Sequence, residues 1–141
     1  MPRAAAAAGL QNAAFEIRDA TDRGYSSEFD LVTTFDAAHD QITPASVLAG
    51  NAQALRPNGV YLMQDIAASS ELQNNLDHPI GPFLYAISCM HCMTVSLASG
   101  GEDLGTMWGK EKALEMLAEA GFGNVSVTQL EHDIQNSYYV A

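Results

Sequence analysis

The chain has 141 residues, of which 48% are hydrophobic, and this is enough for one domain with a single core. Its 17 acidic residues against 6 lysines and arginines give a net charge of -11, which repels nucleic-acid phosphates and anionic lipid headgroups. Neither nucleic acid nor a membrane is therefore expected as a partner. No apolar run approaches the roughly 20 residues that span a bilayer, and a secretory signal is not evident, so the expected location is the cytoplasm.

The first residues predict a helix and an edge strand. Residues 4–10 open with an alanine run, and alanine is the strongest helix former, while Gly9 is a natural helix end. From Phe15 to Arg18 apolar and charged side chains alternate, which is typical of a strand with one face in water.

The stretch from Phe29 to Asp40 is the expected centre of the molecule. Its apolar run, residues 31–35, predicts a short β-strand, and polar side chains follow where that strand ends. Ligands of open α/β sheets bind beyond the carboxyl ends of the strands. We therefore expect a general base at His39, oriented by Asp36 or Asp40. The alternative is that both acids only cap the next helix.

A βαβ unit is predicted next. A helix that begins at Pro44 ends in a turn over residues 56–59, and a strand over Val60–Ile66 follows, with Asp65 near its carboxyl end. Two strands joined by a helix of this length are expected to pair in parallel.

The rest of the chain combines a long irregular segment with a C-terminal α/β unit. Residues 67–109 are too long for a simple connection, and we interpret them as a cover over a substrate, with an apolar helix from Phe83 to Leu97. A helix over residues 110–120 precedes two strands, Val125–Leu130 and Ser137–Val140, in an antiparallel hairpin. The expected fold is one α/β domain over residues 1–141, with about five strands that are mostly parallel.

Metal binding is an alternative for the central acids. They and His39 could bind a metal with His78 or His132, but no H-x-H or H-x-x-x-H spacing supports this. A structural zinc site needs about four ligands, and Cys89 and Cys92 have no second pair. No metal site is predicted, and both cysteines are expected to be reduced thiols.

A hydrolase is the rival enzyme class. The G-x-S-x-G motif that exposes a nucleophilic serine in such enzymes is absent from the sequence. The serines that could pair with His39 are Ser69, Ser70, Ser88 and Ser96.

Three motifs carry a family resemblance: FDLVTTFDAAHD, ALRPNGVYLMQDI and DHPIGPFLYAISCMHCMTVSLASGGEDLGTMWG. With them, nearly the whole chain resembles the C-terminal part of class I S-adenosylmethionine-dependent methyltransferases. It is most similar to bacterial members that carry an N-terminal winged-helix domain. The resemblance implies a truncated Rossmann-like methyltransferase sheet and methyl transfer to a small molecule.

The resemblance also implies roles for particular residues. Asp19 and Ala20 match positions beside the adenine of S-adenosylmethionine, and Phe35 and Asp36 match the loop beside its methionine moiety. His39 becomes the catalytic base, with Asp36 as its partner. The positions that match the substrate side are Asp40, His91, Cys92 and Met93.

In the family, a glycine-rich cofactor loop and the first two strands precede the part that this chain resembles, and they would lie before Met1. We therefore expect impaired cofactor binding, together with exposed strand edges that favour a homo-oligomer. The alternatives are a non-catalytic, self-associating binding remnant and a repurposed small esterase.

Overall fold

A four-stranded sheet organises residues 2–22 and 24–141, the part of the chain that the computed structural model describes. The strand order is β1-β2-β4-β3. β1 and β2 are parallel, whereas β4 is antiparallel to both β2 and β3. The α/β class and the C-terminal hairpin are confirmed, with four strands in place of about five. The strands are β1 (Phe29–Phe35), β2 (Leu55–Ile66), β3 (Ser126–Leu130) and β4 (Asp133–Val140).

Helices precede, connect and cover the strands. The apolar helix predicted over residues 83–97 is present and is longer than predicted. A π-helical turn joins two α-helices into one continuous helical stretch. A short 3-10 helix, Leu72–Asn75, lies before it. The α-helices are α1 (Pro2–Ala7), α2 (Pro44–Ala54), α3 (Gly81–Ile87), α4 (Met93–Ala98) and α5 (Gly109–Glu119), and the π turn is Ser88–Cys92.

The edge strand predicted over Phe15–Arg18 does not form, and residues 13–19 have no regular secondary structure. The Arg18 guanidinium instead lies 4.3 Å from the centre of the Tyr25 ring, and Tyr25 donates a hydrogen bond of 2.7 Å to Glu16. An alternating pattern makes a segment able to form a strand, but the strand also needs a neighbour for its backbone groups. Here local side-chain contacts hold the segment without that neighbour.

The turn predicted over residues 56–59 is also absent, because β2 starts at Leu55, directly after α2. Leu55 is extended, with φ -71° and ψ 143°. Arg56 precedes Pro57, a position that disfavours helical backbone and allows the chain to continue extended. As a result, the pairing of β2 with β1 is irregular, because the register between the two strands shifts before Val60.

The main core packs the sheet against α2 and α5. Leu48 of α2, Tyr61 and Met63 of β2, and Leu117 of α5 are each 0% exposed. The Tyr61 ring also stacks on Phe122, with 4.8 Å between ring centres. This core holds β2 rigidly, so the residues at its carboxyl end have a defined position.

One helical stretch, Gly81–Ala98, has the length and composition of a membrane-crossing helix, with a mean hydropathy of 1.3 over 18 residues. This is weak evidence, because core helices pass the same test. Ser88, Cys92 and Ser96 recur every four residues along the stretch and are buried, so this face packs against the protein. The absence of a membrane partner stays a prediction.

Candidate active site

The candidate site lies where β1 and β2 end side by side. Phe35 pairs with Gln64 in the parallel register. Asp36, directly after β1, and Asp65, near the end of β2, are therefore the next residues on two adjacent strands. Asp36 has a positive φ of 48°, which turns the chain away from the sheet and is better tolerated by Asp than by most residues. The turn then carries the side chain of His39 into the interior, where it is 2% exposed.

Asp65 is the acid that holds His39. Nδ1 of the imidazole lies 2.8 Å from Oδ1 of Asp65, which is 0% exposed. A carboxylate acceptor makes Nδ1 the N–H donor, which leaves Nε2 with a lone pair that can accept a proton. Asp36, the partner that the sequence predicted, approaches within 4.8 Å of both groups. No hydrogen bond joins Asp36 to His39 in the described residues.

Two further donors fix the Asp65 carboxylate. The indole Nε1 of Trp108 lies 3.1 Å from Oδ1, and the backbone N of Ile66 lies 2.8 Å from it. The position of Asp65 at the carboxyl end of a strand was a signal for its role. Nothing local marked Trp108, because 43 residues separate it from Asp65.

Asp40 and Cys92 lie near the imidazole on the side away from Asp65, and Thr106 contacts Cys92. Oδ1 of Asp40 lies 3.4 Å from Nε2 of His39, and Sγ of Cys92 is within 4.8 Å of a ligand atom of each residue. Thr106 donates a hydrogen bond of 2.8 Å from Oγ1 to this sulfur. The structure thus brings Asp40 and Cys92, both expected on the substrate side, into the site.

Burial and neighbouring charges shift three pKa values of the site upward. Burial opposes the charged form of His39, but the hydrogen bond and charge of Asp65, with the charges of Asp40 and Asp36, outweigh it and raise its pKa. Partial desolvation raises the pKa of the Asp36 carboxyl, against the charge of His39. Burial raises the pKa of the Cys92 thiol, against the hydrogen bond from Thr106.

Comparison with protein families identifies the family of the domain. The model of a family described as "methyltransferase domain" matches residues 2–121, which is most of the chain. The chain belongs to this methyltransferase domain family. A comparison with curated proteins finds no match.

Solved structures share the fold of this methyltransferase domain. The trans-methyltransferase CalH, solved in complex with SAH, has a TM-score of 0.69 at 15% identity over 99% of this chain and 38% of that one. An O-methyltransferase family protein from Burkholderia thailandensis gives 0.67, also at 15% identity over 99% of this chain and 38% of that one. A candidate O-methyltransferase from Nostoc punctiforme gives 0.62 at 21% identity over 86% of this chain and 34% of that one. The methyltransferase domain thus spans less than half the length of these structures.

The residues expected at the adenine of the cofactor line a separate hollow of this methyltransferase domain. Asp19 and Ala20 are exposed and border a hollow of about 220 Å³, whose other wall includes Thr34 and Asn51. Asp19 already accepts hydrogen bonds from the backbone N and the hydroxyl of Thr21, at 2.9 and 2.7 Å. Phe35, which is 57% exposed, follows Thr34 toward the His39 site.

The remaining residues that the resemblance places on the substrate side of the methyltransferase domain divide between two environments. His91 is exposed and Met93 is half-buried, whereas Cys92 between them is buried. The Met93 side chain lies close to Gly105. Only Cys92 of this tripeptide therefore reaches His39 in the described residues.

The serines and histidines of the rival chemistries lie elsewhere. Ser69 and Ser70 contact Glu111, and the Ser96 hydroxyl donates to the backbone oxygen of Glu102. The side chain of His78 contacts the oxygen of Ala67 at 3.0 Å. Among described residues, no serine hydroxyl is hydrogen-bonded to His39, so the hydrolase alternative has no supporting contact. Two groups of side chains in the described residues are close enough together to share a metal ion: His39 with Asp40 and Cys92, and His39 with Asp36 and Asp65. Neither group contains His78 or the exposed His132.

Proposed function

We propose that this domain takes part in methyl transfer from S-adenosylmethionine to an O, N or C nucleophile of a small molecule, with His39 as the base. The observation that carries the proposal is the Nδ1 to Asp65 hydrogen bond of 2.8 Å, made at the carboxyl end of the sheet in a methyltransferase-family domain. The cofactor supplies a methyl group on a positively charged sulfur. Nε2 accepts the proton of the nucleophile, and Asp65 stabilises the resulting imidazolium.

The residues of this chain fit one part of the cofactor. The hollow beside Asp19 and Ala20 has about 220 Å³, which is less than the roughly 300 Å³ at which small-molecule pockets begin. Its size suits the adenine end, while Asp36 and Phe35 lie toward the base. A small, open hollow gives few contacts, so we propose that binding by this chain alone is weak. Residues 67–109 contribute Cys92, Thr106 and Trp108 to the site, which supports their role as a substrate cover.

A calorimetric titration with S-adenosylmethionine, and separately with its demethylated product, tests the proposal. We expect saturable binding near one site per chain, weakened about tenfold by Asp19→Asn, since tenfold corresponds to about 1.4 kcal/mol, the size of one charge-assisted hydrogen bond. The control Asp30→Asn changes an acid whose side chain is 82% exposed at the opposite end of β1, and it should bind as the unaltered chain does. Absence of saturable binding up to millimolar ligand contradicts the proposal.

We also propose that the chain self-associates through β1. This proposal is shared with the alternative of a non-catalytic, self-associating binding remnant. β1 ends the sheet, and its Phe29, Leu31 and Phe35 side chains are 37%, 56% and 57% exposed. An apolar edge strand with free backbone groups is a template for pairing with a second copy.

Light scattering of the purified chain tests this proposal. We expect a dimer that Leu31→Lys converts to a monomer, because a charged lysine blocks edge pairing. The control Leu130→Lys places the same charge on β3, the opposite edge, where Leu130 is 39% exposed, and it should leave the dimer intact. A monomeric unaltered chain would refute the proposal.

A further inference from the structure

The environment of Nε2 is unusual for a buried imidazole. With its Nδ1–H directed to Asp65 at 2.8 Å, the neutral ring presents a lone pair at Nε2. That lone pair faces Oδ1 of Asp40 at 3.4 Å. This oxygen atom is buried and has no hydrogen-bond partner among the described residues, although the Asp40 side chain as a whole is 34% exposed. In the neutral ring the Nε2 lone pair and the Asp40 oxygen therefore face each other, and a proton or a cation between them makes the contact favourable.

The same two atoms have the separation of metal ligands. Zinc binds imidazole nitrogen and carboxylate oxygen at about 2.0–2.1 Å in a tetrahedron, which places two such ligand atoms about 3.4 Å apart. The third ligand atom is the Cys92 sulfur, which lies within 4.8 Å of a ligand atom of each of these two residues, so the three would close around the cation as it binds. By contrast, Asp65 lies too close to Nδ1, at 2.8 Å, for a cation to fit between them.

The surroundings of the three atoms also match those of a metal site. A histidine ligand usually donates its second ring N–H to a carboxylate, as His39 does to Asp65. The Thr106 hydroxyl donates to the Cys92 sulfur at 2.8 Å, a contact that stabilises a thiolate. One nitrogen, one oxygen and one sulfur form the mixed donor set that zinc accepts, with a fourth position open.

We propose that His39, Asp40 and Cys92 bind a divalent cation of the zinc type through Nε2, a carboxylate oxygen and Sγ. On binding, the Cys92 thiol loses its proton to solvent as the metal–sulfur bond forms. The cation neutralises the unpaired Asp40 oxygen. Because Nε2 has one lone pair, the cation and the proton of a methyl acceptor compete for it, and metal binding switches off His39 as a base.

Titration of the purified, chelator-treated chain with cobalt(II) tests the proposal, because cobalt is a coloured substitute for zinc and shows a near-ultraviolet charge-transfer band only when a thiolate coordinates it. We expect one cobalt per chain, a thiolate band, and loss of that band when zinc is added. No methyl donor is present, so the result is independent of the cofactor titration above.

The two cysteines provide a matched pair of variants. Cys92→Ser should abolish the charge-transfer band, whereas Cys89→Ser, which changes an exposed thiol on the same π turn, should retain it. Asp40→Asn should weaken cobalt binding at least tenfold while circular dichroism remains unchanged. The proposal is overturned if the unaltered chain gives no saturable thiolate band, or if the band follows Cys89.

Discussion

Replacing Asp65 with alanine should lower the free energy of unfolding by about 3–5 kcal/mol, the range for breaking a buried charged pair. Oδ1 of Asp65 accepts from Nδ1 of His39, Nε1 of Trp108 and the backbone N of Ile66. The alanine variant leaves these buried donors without their acceptor, and each unpaired group costs about 1–3 kcal/mol. Urea unfolding followed by far-ultraviolet circular dichroism measures the loss.

Two variants make this result interpretable. Asp30→Ala removes an acid whose side chain is 82% exposed and pairs with Arg56 at the surface, so its effect should stay within about 0.5 kcal/mol. Asp65→Asn keeps an acceptor oxygen and should lose less than Asp65→Ala, which provides a folded variant if alanine unfolds the chain. If Asp65→Ala is as stable as Asp30→Ala, the buried network does not hold the site.

Gly109→Ala should also cost about 2–5 kcal/mol. Gly109 begins α5 with a φ of 81°, and a Cβ there would penetrate the backbone of Ser69 and Ser70. The φ strain alone costs about 1–2 kcal/mol, and overpacking adds about 1–3. In the same segment, the backbone oxygen of Ala68 accepts a hydrogen bond of 2.8 Å from the backbone N–H of Lys110. Displacing it therefore shifts the neighbouring Trp108, and its fluorescence should report the change alongside urea unfolding.

Gly121→Ala separates strain from collision. Gly121 has a φ of 98°, but a Cβ at this position meets no atom within 4 Å. This variant should lose only the strain, about 1–2 kcal/mol. Equal losses at the two glycines would show that residues 69–70 do not pack against the start of α5 as described.

Local patterns predicted most of the secondary structure. The apolar run of 31–35, the proline at the start of α2 and the hairpin near the C-terminus all appear as expected. These features depend on interactions within a few residues, which composition and spacing record directly. The segment 15–18 shows the limit, because its alternation is that of a strand while the pairing partner is set by the rest of the fold.

Residue patterns were enough to predict the α/β class, the methyltransferase resemblance and the polar turn that contains Asp36, His39 and Asp40. The tertiary structure alone decided that Asp65 holds His39, because the parallel register of β1 and β2 sets which acid reaches Nδ1. It also decided that Cys92, which lies on the long helical stretch far along the chain from His39, joins the site. Such contacts depend on how separate elements pack, and no local pattern encodes the distance between two side chains so far apart in sequence.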